Sequence, residues 1–298
     1  MHADKSFIQK MDRNLFFLLF NIMFAAAFFS PLLDLVRTAW ASEYYTYIPF
    51  IPFISAFLMY ENRQTIFSQK TSSHAAGLIL TGIGLSLLFV GETRKISLGH
   101  SDYLALTTFA LATLWIGGVA LCFGAGSLRS ASFPFLFLFF MVPVPDAVLE
   151  KIIFFLQSGS AEVSYLFFQA AGIPVARDGF VFHLPMMDIE VAKQCSGIRS
   201  SLSLVITGFL AAYLFLRTGW ARALLMILLV PVAVVKNGIR IFVLSMLGVY
   251  WDRGILDSDL HRKGGFVFFI LALVLAGAGI VLLRKMEKKP PKIREKES

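Results

Sequence analysis

An all-α, polytopic bundle of about eight transmembrane helices is the fold this sequence predicts, on three observations. Of 298 residues, 57% are hydrophobic and only 15% are charged, which leaves too little polar material to clothe a water-soluble globule. The apolar residues gather into long uncharged runs, most of them close to the ~20 residues that cross ~30 Å of hydrocarbon. The formal charge of +8 is not concentrated in a compact basic domain. Its lysines and arginines punctuate the runs, a pattern that orients a chain in a bilayer and does not fit nucleic-acid binding.

Taken in order, the first run is Asn14–Leu33, preceded by Lys5, Lys10 and Arg13. It has no small-residue cleavage site after a short apolar core, so we expect an anchor and not a removed signal peptide. Tyr44–Tyr60, Ala75–Gly91, Tyr103–Leu128 and Ser130–Pro145 follow, then Ser200–Leu216, Ala223–Tyr250 and Gly264–Leu283. Ala223–Tyr250 is interrupted by Pro231, Lys236, Asn237 and Arg240, which in lipid must face protein or water. Residues 146–172 are apolar but carry Asp146, Glu150, Lys151 and Glu162 and the weak helix formers QSGS. There we expect a helix at the membrane surface or dipping into it, with a ninth span as the alternative. Beyond it, Gly and Pro flank the alternating runs FVFHL and DIEVA, which predicts a small extra-membrane hairpin just before Cys195.

Eight spans with both termini on one side give that side Arg63, Lys70, Arg129, Arg217, Arg222 and the basic tail from Arg284 onward. We therefore expect cytoplasmic termini, with residues 146–193 and 251–263 facing outward. The expected organisation is an N-terminal membrane region over residues 1–132, a core over 133–284, and a solvated, disordered basic tail over 285–298.

The chemistry concentrates in DIEVAKQCSGIRSSLS, residues 188–203, where Cys195 stands among Asp188, Glu190, Lys193 and Arg199 at the mouth of a span. Ionisable groups at membrane depth are tied to function by default. Two more polar clusters follow: KNGIR at 236–240, and DRGILDSDLHRKGG at 252–265, which contains His261. Cys195 begins a helical hairpin, and Arg240 and His261 lie where that hairpin returns, so all three fall on one membrane face. A thiolate that attacks a peptide carbonyl, a fixed cation for the oxyanion and an imidazole for protons make an acyl-transfer set. Neighbouring Lys193, Arg199 and Arg240 favour the thiolate.

These residues resemble the exosortase/archaeosortase family of membrane-embedded cysteine transpeptidases. The likeness rests on CSGIRS after EVA, on N-x-x-R in a later span, and on a His before the Gly-rich start of the last span. FPFLFLFFMVPVPDAVLEKIIFFLQ and GIPVARDG add to it, and YTYIPFIPFISAFLMYENR is the best match before Phe133. The resemblance implies Cys195 as the nucleophile that forms an acyl-thioester, Arg240 as proton donor or oxyanion stabiliser, and His261 as the third catalytic residue, its histidine pointing to the bacterial branch. Arg199 and Asn237 would support them. It implies substrates that are exported proteins with a C-terminal Pro-Glu-Pro-like motif, one transmembrane helix and a basic tail, cut at the outer face of a bacterial inner membrane. No cofactor, metal or nucleic acid is expected.

Each residue also has a plainer reading. A membrane cysteine is often a small buried hydrophobe, as we expect of Cys122 within GGVALCFGAG. Arg240 as a snorkelling side chain, His261 as a surface residue and Arg199 as an ion-pair partner of Glu190 are the others. The Phe-rich run FPFLFLFF reads as packing or lipid-facing surface. A transporter would favour inverted repeats, which are not apparent; a non-catalytic scaffold for export or polysaccharide assembly would need no reactive thiol. The chain carries no GxSG or HExxH motif.

Overall fold

The computed structural model describes residues 2–67, 74–251 and 265–287, with side chains over 15–66, 74–251 and 265–287. It is all-α apart from one small sheet, and it divides into two units, Met1–Val148 and Leu149–Ser298. Five helices are long and apolar enough to cross a membrane, or up to seven if each bent pair is one span, and Ile48–Glu61 adds a shorter apolar helix. Each of the eight apolar runs in the sequence carries one of these helices.

The first unit contains α1 (His2–Ala27), α2 (Phe29–Ala41), α3 (Ile51–Glu61), α4 (Arg63–Phe67), α5 (Ala75–Arg94), α6 (His100–Phe123), α7 (Ala125–Ser130) and α8 (Ser132–Phe137). α1 and α2 meet at a 67° bend. α6 is apolar all round and buried along nearly its whole length, as expected of a central helix. It packs closely on α5 because Gly77, Gly84 and Gly91 recur every seven residues and are all buried. A Cβ on Gly84 would lie 2.8 Å from Leu114 Cβ. The Phe-rich run is split between α8 and a 3₁₀ turn, Leu138–Met141, and buries Phe135 and Phe137. It is thus packing surface on one side, with Leu136 exposed.

The second unit holds most of α9 (Asp146–Ala170), strands β1 (Ala176–Asp178), β2 (Val181–Leu184) and β3 (Met187–Glu190), then α10 (Ile198–Phe215), α11 (Gly219–Tyr250) and α12 (Gly265–Glu287). The three strands form an antiparallel meander. β2 and β3 are the predicted hairpin, in register His183↔Asp188 and Phe182↔Ile189; β1 extends it by a third strand. Phe182 is fully buried and meets Phe168 of α9 edge to face, with centroids 5.3 Å apart.

α9, expected at the membrane surface or dipping into it with a ninth span as the alternative, is packed along one face. Leu149, Ile153, Leu156, Gln157, Ser160, Ala161, Ser164 and Phe168 are buried at helical spacing. Gly159 meets Val234, Val163 meets Gly238, and Phe168 meets Phe242, so α9 runs alongside α11 in the same direction. The charges that signalled a surface helix lie in the first turns, apart from exposed Glu162, which binds Arg177 of β1 at 2.7 Å. Small residues bring the backbones together. Ser164 Oγ donates to Gly238 O at 3.1 Å.

α10 returns to the start of α11, where the Glu287 carboxylate of α12 accepts from the Thr218 backbone N–H at 2.7 Å. A carboxylate there meets the positive end of α11. The end of α9, the sheet, the start of α10 and the later turns of α11 consequently share the opposite end of this unit. α12 continues as helix to Glu287; the rest of the predicted tail lies outside the described residues.

Candidate active site

Cys195 sits in a strand-to-helix connection. After β3, Val191 N–H bonds Phe180 O at 2.9 Å, and its carbonyl accepts from Gln157 Nε2 of α9 at 2.5 Å. A 3₁₀ turn, Lys193–Ser196, then carries the cysteine, closed by Cys195 N–H to Ala192 O at 2.8 Å. Gly197 reverses the chain at φ +73°, and α10 begins at Ile198. The first backbone bond of α10 runs from Ser201 N–H to Gly197 O, so the thiol stands at the electropositive end of a helix, where early N–H groups have no helical acceptor.

The turn is held from α11. Asn237 is 1% exposed; its Nδ2 donates to Cys195 O at 2.8 Å and to Ser160 Oγ of α9 at 3.0 Å. The amide oxygen lies against Gly197, 2.6 Å from where a Cβ would be. Lys236, 2% exposed, donates from Nζ to Ser200 Oγ, and Ser200 Oγ donates to Gly197 O at 3.0 Å. Two neighbouring residues of α11 therefore clamp the segment from Cys195 to Ser200.

Cys195 and Arg240 line one cavity of about 30 Å³, together with Ile189, Glu190, Val191, Ile241, Leu244 and Ser245. Both are half-buried. Arg240 thus faces the thiol's cavity, which the snorkelling reading did not anticipate. Arg199 is exposed and not among the residues that line the cavity; no ion pair joins it to Glu190 among the described residues. His261 lies outside the described residues. Cys122 belongs to the apolar core of the first unit, beside Phe123 and Val119.

Gln157, Ser160, Lys236 and Ser200 were not singled out as site residues from sequence. The available signal for the first two was polar and small residues at helical spacing within a membrane helix, which mark a packed face. The arrangement suits acyl transfer. The thiol lies at a helix N-terminus with a guanidinium on the same cavity, and its backbone is fixed by buried amide and amine bonds.

No curated protein and no solved structure matches the chain. The family model for transmembrane exosortases (Exosortase_EpsH) matches residues 39–278, a stretch that contains the cavity, the sheet and the helices around them. This multi-pass membrane protein belongs to the transmembrane exosortase family.

Proposed function

We propose that the chain is a cysteine endopeptidase or transpeptidase that removes the C-terminal sorting signal of exported proteins through an acyl-thioester on Cys195. The observation that carries this reading is the shared cavity of Cys195 and Arg240 at the start of α10. In the reaction the Cys195 thiolate attacks the scissile carbonyl carbon. The oxyanion draws on Arg240 and the N-terminal amides of α10, and the C–N bond breaks as the leaving amine takes a proton. Arg240 or His261 supplies that proton, and water or an amine then opens the thioester.

The substrates in this reading carry a short Pro-Glu-Pro-like motif, a single transmembrane helix and a basic tail. Cleavage falls at the outer face of a bacterial inner membrane, with both termini of the enzyme inside. A cavity of about 30 Å³ holds about one water molecule and no peptide. Substrate binding therefore requires this cavity to widen.

The test is processing of such a substrate in cells that carry Cys195→Ala or Cys122→Ala. Alanine removes the nucleophile with little change of volume. Full-length substrate should accumulate with the first variant only; normal processing by Cys195→Ala would refute covalent catalysis.

A further inference from the structure

Lys236 is the one lysine buried to 2% exposure among the described residues, and the reaction above gives it no part. It sits in a membrane helix, where an ammonium is costly to bury, and no carboxylate among the described residues pairs with it. Filling the same space would take only a methionine. The amine instead makes a directed bond. Nζ–H donates to Ser200 Oγ, and the Ser200 hydroxyl donates onward to Gly197 O at 3.0 Å. That carbonyl belongs to the left-handed residue that turns the chain two positions after Cys195. Lys236 also precedes Arg240 by four residues, so the two cations rise on one face of α11.

We infer that Lys236 is a positioning residue for Cys195. Acting through Ser200, it fixes the turn that presents the thiol at the start of α10. The inference rests on the reading of Cys195 as the nucleophile. Other charged groups also bear on the thiol. Arg240 from α11 and Glu190 from the end of β3 line its cavity; Lys193 on its own turn and Arg199 on α10 are exposed.

The experiment reads the thiol directly and needs no substrate. Full-length protein in native membranes, in a Cys122→Ala background, is alkylated with iodoacetamide from about pH 6 to about pH 9.5, a range that spans the ordinary thiol pKa. Lys236→Met should slow alkylation several-fold and displace the profile, because the turn that carries the thiol loses the bond that fixes it. Ser200→Ala keeps the amine but breaks the same relay; it should likewise slow alkylation several-fold. If Lys236→Met does not accumulate in the membrane, Ser200→Ala decides alone.

A Lys236→Met profile that overlays the parent would overturn the inference, as would unchanged alkylation in Ser200→Ala. So would loss of substrate processing in Ser200→Ala with its alkylation intact, because Ser200 would then be attacking substrate itself. The first two outcomes leave the proposed reaction untouched; the third would move the attack to Ser200, and processing in Cys195→Ala tells the two readings apart.

Discussion

Gly197→Ala tests the architecture of the site with one methyl group. Gly197 has φ +73°, a conformation that disfavours an L-residue by roughly 1–2 kcal/mol. Its Cβ would also lie 2.6 Å from Asn237 Oδ1 and 2.7 Å from Asn237 Cγ, closer than any real contact, so the amide must move. That amide holds Cys195 O at 2.8 Å, and a buried carbonyl left without its donor costs about 1–3 kcal/mol. Together the two effects amount to about 2–5 kcal/mol, and expressed in the transition state even the lower figure slows cleavage about thirtyfold. Gly172 (φ +68°) and Gly179 (φ +57°) provide the control, since a Cβ on either meets nothing within 4 Å. Substrate cleavage in isolated membranes, normalised to enzyme level, should fall at least about thirtyfold for Gly197→Ala and stay near wild type for Gly172→Ala and Gly179→Ala. Equal losses in all three would mean that backbone strain alone is responsible, and unimpaired Gly197→Ala would remove Asn237 from the account.

Arg240→Lys keeps the charge but loses the planar fork; cleavage should slow about a hundredfold at normal protein levels, and near-normal processing would demote Arg240 to structure. The size of the cavity implies that Cys195 discriminates among thiol reagents: a small methanethiosulfonate should label it much faster than a bulky maleimide, with similar rates for both arguing against a closed site. In the first unit, Gly84→Val would drive a side chain into Leu114, whose Cβ lies 2.8 Å from the place the new Cβ would take; thermal unfolding in detergent should show a loss of about 1–3 kcal/mol, and an unchanged midpoint would contradict the close α5–α6 contact.

The bundle and the meeting of Cys195 with Arg240 were legible because both follow from counting apolar runs: a thiol that opens one helix and an arginine late in the next return to the same end. The β2–β3 hairpin was legible from alternation in FVFHL and DIEVA. β1 was not, since Ala176–Asp178 has no apolar alternation, and it is held by pairing with β2 and by the Arg177–Glu162 bond. The inward face of α9 was not legible, because its charges are near the start of the helix or on its exposed side, while Gln157, Ser160 and Ser164, polar too, bond to other segments and so turn inward. Lys236 was legible as an intramembrane charge, but its bond to Ser200 depends on the rotation of α10 against α11, which spacing along either helix does not fix.

The amide that sets the Cys195 carbonyl comes from a residue 42 positions later in the chain. At ~5–20 residues per second, synthesis reaches that residue roughly two to eight seconds after the cysteine is made, and α11 must then enter the bilayer before the bond can form. The nascent chain therefore passes its thiol through the insertion machinery with the turn unclamped. The clamp arrives with a later helix, so a chain interrupted before α11 bears the cysteine but not the bond that holds its turn.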